Sequence, residues 1–178
     1  MLRRRSRGFT LTELMVVVAI LAVLLAIGLP SFNDTFQRNR VATMSNEVIG
    51  ALSLARSEAI RTTRGGGLCP TANGTACSGT DWGIGWLVWA NQGTADTTFG
   101  TGDLMTRRID ARPAMTMTVV ATGSATALDR ITFDARGRVT APATITLRPV
   151  SCRTGRALVR TLSINASGQV NTTTGNCP

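Results

Sequence analysis

The chain has 178 residues, 19 basic against 10 acidic, and a formal charge of +9; 43% of its residues are hydrophobic and 16% charged. All the basic residues are Arg, and neither His nor Tyr occurs. That excludes an imidazole general base, Ser/His and Cys/His dyads and His-containing zinc sites, so most hydrolase chemistries lose their proton carrier.

Apolar residues crowd into the first thirty positions. MLRRRSRG, with Arg at 3, 4, 5 and 7, precedes FTLTELMVVVAILAVLLAIGLP. Phe9 to Leu29 is 21 residues, which as a helix spans about 31 Å, close to the roughly 30 Å of bilayer hydrocarbon. A cleaved secretory signal, a plain anchor and a helix serving both membrane and protein assembly all compete for this segment. The first needs a small-residue site after its apolar run, and the chain has LPSFNDTF there. The second has no use for Glu13, because a carboxylate within the segment is disfavoured unless it snorkels to the headgroups or finds a partner. The arginines hold the start in the cytoplasm and put everything beyond Pro30 across the membrane, where Cys residues meet an oxidising compartment.

RGFTLTELMVVVAILAVLLAIGLP resembles the class III leader of type IV pilins and pseudopilins. The resemblance implies that a prepilin peptidase cuts between Gly8 and Phe9 and that the new Phe9 amine is methylated. It further implies that Glu13 pairs with a neighbouring subunit's terminal ammonium among packed helices, with Pro30 at the family's helix-bending position. The expected segments are a leader at 1–8, a membrane and filament-core helix half at 9–30, an amphipathic half at 31–64 and a β-rich head at 65–178.

Val41, Met44, Val48, Leu52, Ala55 and Ala59 recur at helical spacing and predict one buried face. Gly65 to Gly67 stop the helix near Arg64. LSLARSEAIRTTR resembles the helix end of the GspH/FimT/FimU-like group of minor pilins and pseudopilins, DWGIGWLVW resembles the W-x-x-G-W strand of its head domain, and ITFDARGRV and LSINASGQV resemble that domain's hairpins with Gly at the turn. The implied fold is α+β, a long helical spine packed on a small, mostly antiparallel β-sandwich.

Within the head, Trp82, Ile84, Trp86 and Val88 alternate, as do Met115, Met117 and Val119, Ile131 and Phe133, and Ile145 and Leu147, predicting at least five strands. The tryptophans are read as core and strand face in preference to a base-stacking platform. Arg160 shares a face with Leu158 and Leu162, which requires a bulge or a late strand start. The four Cys divide into a near pair, Cys69 with Cys77, and a terminal pair, Cys152 with Cys177, the second tethering a tail, NTTTGNCP, too polar to anchor itself. Their spacing suits zinc poorly, and no nucleotide, metal or hydrolase motif occurs. No metal, cofactor or catalytic residue is expected.

From Arg130 to the end there are seven Arg and one acid. Arg136, Arg138, Arg148, Arg153, Arg156 and Arg160 form a candidate phosphate-neutralising stripe for double-stranded DNA, although the lack of Lys points to a compositional bias toward Arg, and an acidic pilin neighbour would serve the charge equally. Some FimT-like minor pilins capture DNA for natural transformation through G-R-x-R; here TGRALVR places the second Arg four positions after Arg156. The expected partners are major and minor pilins, prepilin peptidase, the inner membrane before assembly and, through the basic end, DNA. The expected role is a non-enzymatic tip or assembly subunit of a type IV pilus. A GspH-like pseudopilin of a type II secretion system is the alternative.

Overall fold

The computed structural model describes residues 9–93 and 96–178, and the side chains of 27–32 lie outside the described set. The chain divides into two compact units, one ending at Gln37 and one comprising Arg38–Pro178. Helix α1, Leu11–Thr62, belongs to both.

In the first unit the described apolar side chains face outward: Leu14, Val16, Val17, Ile20, Leu21 and Leu24 are all more than half exposed. Among the described residues no helical stretch is long and apolar enough to cross a membrane. Within α1 the described side chains of the apolar run extend from Leu11 to Ala26, 16 residues, against about 20 for a span.

In the second unit, Val41, Met44, Val48, Leu52, Ala55 and Ala59 are all at most 2% exposed, with Ala51 and Ser45 joining them. The predicted face is therefore the buried one, and three alanines toward its end let the sheets approach the helix closely. Thr63 ends the helix in the left-handed region (φ 56°), and Gly65 follows at φ 90°. Only the first glycine of the Gly65 to Gly67 run acts in the chain reversal. Gly66 and Gly67 instead open β1 (Gly66–Pro70), where a Cβ on Gly67 would lie 2.4 Å from the Ile131 carbonyl oxygen and 2.8 Å from the Trp89 ring.

After β1 come a short 3-10 turn at Trp82–Ile84 and seven further strands: β2 (Gly85–Ala90), β3 (Leu104–Asp110), β4 (Met115–Ala121), β5 (Ile131–Phe133), β6 (Ala143–Pro149), β7 (Val159–Ile164) and β8 (Val170–Gly175). They form two four-stranded sheets, ordered β3-β2-β1-β5 and β4-β6-β7-β8, in which every neighbouring pair is antiparallel. Their inner faces and the helix close one core around Trp82, Trp86, Phe133, Ile145 and Leu162.

Two expectations change, and one open alternative is decided. The alternation over Trp82 to Val88 is not that of a half-exposed strand, because Trp82 and Ile84 lie in the 3-10 turn and β2 is buried on both faces. Trp86 and Val88 face the main core, while Leu87 and Trp89 join Cys69 in a second cluster bordered by Cys77 and Phe99. The polar tail is no loose end, since Val170–Gly175 pairs with β7 along its whole length. β7 begins late, at Val159, and keeps an uninterrupted register with β8, so Arg160 reaches the inner face without a bulge. All three tryptophans are fully buried, which removes them as a stacking platform; Trp82 Nε1 donates to the Leu128 carbonyl at 2.8 Å.

Candidate functional site

Gly8 and the leader lie outside the described residues, as does the Pro30 side chain. The helix start is described. Thr10 N–H and its hydroxyl both donate to Glu13 Oε2 at 3.4 Å, and Glu13 N–H donates to Thr10 Oγ1 at 3.3 Å. This is a reciprocal capping box, in which the third helical residue satisfies backbone donors that the first turn leaves open. The carboxylate also stands at the positive end of the helix dipole, where an anion is favoured. Within a single chain, Glu13 therefore has a structural use that periodicity did not reveal.

The other end of the chain is fastened. Cys152 is bonded to Cys177 and Cys69 to Cys77, each with Cα atoms 5.5 Å apart. Gly155 N–H donates to the Cys177 carbonyl at 3.1 Å, Cys177 N–H to the Arg156 carbonyl at 2.8 Å and the Thr154 hydroxyl to the Pro178 carbonyl at 2.9 Å. Leu158, Val159 and Cys177 bury a small apolar cluster beneath this loop. The exposed Arg153 and Arg156 are thus carried on a cross-linked platform.

The six C-terminal arginines do not form one stripe. Arg136 and Arg138 lie on the turn after β5, where Asp134 Oδ1 accepts both their backbone N–H groups at 2.9 Å. Gly137, at φ 72° within that turn, faces Ile60 and Arg56 of α1. Arg160 pairs in register with Leu147; its guanidinium donates to the Thr174 hydroxyl and lines a recess of about 270 Å³ with Arg38 and Val41. Val41 and Ile60 are 19 residues apart on α1, about 28 Å along its axis, so the two groups sit at opposite ends of the helix segment that the head covers. Arg148 is exposed, one residue from the inward-facing Leu147 on β6, and points away from the face that Arg160 shares.

Arg38 is the residue that sequence reasoning missed. It lies far from the basic end in the chain, and only the fold brings it to Arg160. Arg130, the first of the seven arginines of the basic end, is paired with Asp129 at 2.6 Å; the Arg130 hydrogen bond holds the Asp129 carboxyl below its ordinary range. Among the described residues, none of the ion pairs involves Arg38, Arg136, Arg138, Arg148, Arg153 or Arg160. No group of His, Cys, Asp and Glu among the described residues is placed to hold a metal ion.

The backbone N–H of Arg138, followed by that of Arg136, lowers the Asp134 pKa. A depressed carboxylate stabilises the fold above its unfolded pKa, and that contribution is lost as pH falls through the folded value. The turn carrying Arg136 and Arg138 should therefore loosen below about pH 4. An Asp134→Asn variant should flatten that part of the acid melting curve, and an unchanged curve would remove the turn from the acid response.

The family model described as "Type II transport protein GspH" matches residues 44–168, and that of the prokaryotic N-terminal methylation motif matches residues 3–29. The chain belongs to the GspH family. A "Fimbrial protein" of Pseudomonas aeruginosa is 44% identical over 57 residues, covering 32% of this chain and 36% of its own length. A "Fimbrial protein" of Moraxella nonliquefaciens is 34% identical over 97 residues, 51% of this chain and 60% of the relative. The chain thus spans about a third of the P. aeruginosa fimbrial protein's length and more than half of the Moraxella one. The fold is that of the type IV minor pilin FimU of P. aeruginosa (TM-score 0.53, 22% identity, 75% of this chain and 88% of that one). It is also that of EpsH, the minor pseudopilin of the Vibrio cholerae type II secretion system (TM-score 0.55, 14% identity, 79% and 99%). Within the GspH family, then, this chain has the helix-on-sheets architecture of a pilin.

Proposed function

We propose that this GspH-family chain is a minor pilin, a non-enzymatic structural subunit of a type IV pilus acting at the tip or in assembly initiation. The observation that carries the reading is the pairing of an N-terminal methylation motif over residues 3–29 with a GspH head over residues 44–168. On this reading the precursor sits in the inner membrane as a single-pass protein with its head in the periplasm. Prepilin peptidase cuts between Gly8 and Phe9, and the processed helix packs with those of other major and minor pilins, where a neighbour's terminal ammonium replaces the Thr10 donors at Glu13. The segments are those expected above: leader 1–8, helix halves 9–30 and 31–64, head 65–178.

Mass spectrometry of sheared pili should find this chain beginning at a methylated Phe9, and a deletion strain should lose piliation. Filament-associated chain that keeps its first eight residues would overturn the proposal. So would a deletion strain that keeps its pili but loses exoprotein release, the outcome expected of a type II secretion pseudopilin.

A second reading adds duplex DNA as a partner, supported by arginines that carry no carboxylate partner at either end of the head. Two groups about 28 Å apart on the helix correspond to about eight base pairs of duplex, at roughly 1.7 Å of axis per charge. The processed chain in detergent should retard duplex DNA at low salt without sequence preference. Reversing Arg153 and Arg160 to Glu should weaken that binding at least about tenfold and flatten its salt dependence by up to about two slope units. No retardation in about 50 mM salt removes this reading.

A further inference from the structure

The four outer edges of the two sheets are not treated alike. β3 carries Arg107, Arg108 and Asp110, and its pairing with β2 shifts register between Val88 and Trp89. β5 is three residues long. β4 is overlaid by its own return, with Ala121 N–H on the Thr126 carbonyl at 3.0 Å and Leu128 N–H on the Val119 carbonyl at 2.9 Å. Charge, irregularity, shortness and cover are the ways in which folded proteins keep an edge strand from recruiting another chain.

β8 has none of them. Val170–Gly175 reads VNTTTG, six residues without a charge or a proline, paired to β7 without a shift. Asn171 to Thr174 are exposed, and among the described residues no backbone hydrogen bond reaches the outer edge. A free edge of β-branched, uncharged residues is a template for a further strand.

The surroundings of this edge say what kind of strand fits. Beside Val170 opens a groove of about 920 Å³, walled by Ile49, Leu52 and Ile60 of α1 and by Ile164, with Arg56 on its border. At the other end of β8, Thr174 stands at the recess that holds Arg38 and Arg160. Among the described residues, Arg38, Arg56 and Arg160 take part in no carboxylate ion pair. The edge is thus uncharged along its length, bordered by apolar surface and cationic at both ends.

We propose that the outer edge of β8 receives an extended segment of another filament subunit, uncharged with alternating apolar side chains over its middle and acidic at both ends. Backbone pairing supplies the affinity, and the guanidinium groups of Arg56 at one end and Arg38 with Arg160 at the other select acidic flanks. A second copy of this chain fits badly: antiparallel pairing of two β8 strands brings the Arg56 end of one against the Arg38 and Arg160 end of the other, like charge on like. The filament origin of the partner rests on the pilin reading, while the edge itself is tested with a synthetic strand, so that its failure is distinguishable from a failure of assembly.

The experiment measures amide hydrogen exchange of residues 170–175 in the full processed chain in detergent. The probe is a ten-residue peptide of alternating Val and Thr with two Asp at each end; its counterpart has Lys in place of Asp. The Asp-ended peptide should slow exchange in β8 at least tenfold, and the Lys-ended one at the same concentration should leave it unchanged. Thr172→Pro, at a position whose N–H faces outward while those of Asn171 and Thr173 pair with β7, should abolish the protection. The double change Arg38→Glu with Arg160→Glu leaves the strand backbone intact and should narrow the preference for the Asp-ended peptide at least fivefold. No protection by the Asp-ended peptide, equal protection by both, an unaltered preference in the double variant, or peptide-independent protection that grows with protein concentration would each overturn the proposal.

Discussion

Filaments of a Glu13→Gln variant should contain this chain at about a tenth of the parent level or less, a factor that about 1.4 kcal/mol suffices to produce. The choice of Gln separates two roles of one side chain. Glu13 closes a capping box with Thr10, and Gln fills the same position of that motif almost as well. What Gln lacks is the charge. If the carboxylate serves to neutralise a neighbouring subunit's terminal ammonium among packed helices, its removal leaves that cation buried and unpaired, a loss of about 3–5 kcal/mol. Glu13→Gln should then fail as completely as Glu13→Ala while retaining the parent's helix content by circular dichroism. Quantitative immunoblotting of sheared pili against whole cells decides it. If Gln restores incorporation where Ala does not, capping is the whole role of Glu13 and the intermolecular pair has no place in assembly.

Gly67→Ala should lower the melting temperature of the head by about 10 °C or more, corresponding to roughly 3 kcal/mol in a domain of this size. The added methyl would lie 2.4 Å from the Ile131 carbonyl oxygen and 2.8 Å from the Trp89 ring. The first is backbone in the neighbouring strand, and the second is a ring with no exposure; neither is the yielding end of a flexible side chain. Because folded domains are stable by about 5–15 kcal/mol, such a loss is also expected to reduce accumulation in cells. Gly50→Ala is the control. It sits in α1 with nothing within 4 Å of the new methyl, and relief of glycine's backbone entropy should leave the head equally or slightly more stable. Near-ultraviolet circular dichroism of the full chain in detergent reads both. Equal melting of Gly67→Ala and parent would mean that β1 and β5 can part at no cost.

The helix and its buried face were legible because the signal is periodic and long: each of the six apolar positions read from Val41 to Ala59 lies in the core. Strands β4, β5 and β6 were legible for the same reason. β1, β2 and β8 were obscured, each in its own way. Gly66 and Gly67 resemble a helix stop, yet they are strand residues selected by the lack of room between Ile131 and Trp89. β2 is covered on both faces, so the alternation that marks a half-buried strand is absent. The threonines of β8 look like tail composition, and only pairing with β7 makes them a strand. The arginines divide along the same line. Their number at the basic end is a property of the chain, but their separation into a group near Ile60 and a group near Val41 depends on which sheet face and which turn each occupies. Arg38 joins the second group through a contact between distant parts of the chain, for which local spacing holds no signal.

The burial of β2 on both sides also bears on how such a subunit can diversify. Trp86 and Val88 grip the helix side, whereas Leu87, Trp89, Phe99 and the Cys69–Cys77 bridge hold the segments between β1 and β3 from the opposite side. The two clusters share a strand but no side chains. A change in the length or composition of those outer segments should therefore be taken up by the second cluster and its bridge, leaving the packing against the helix undisturbed.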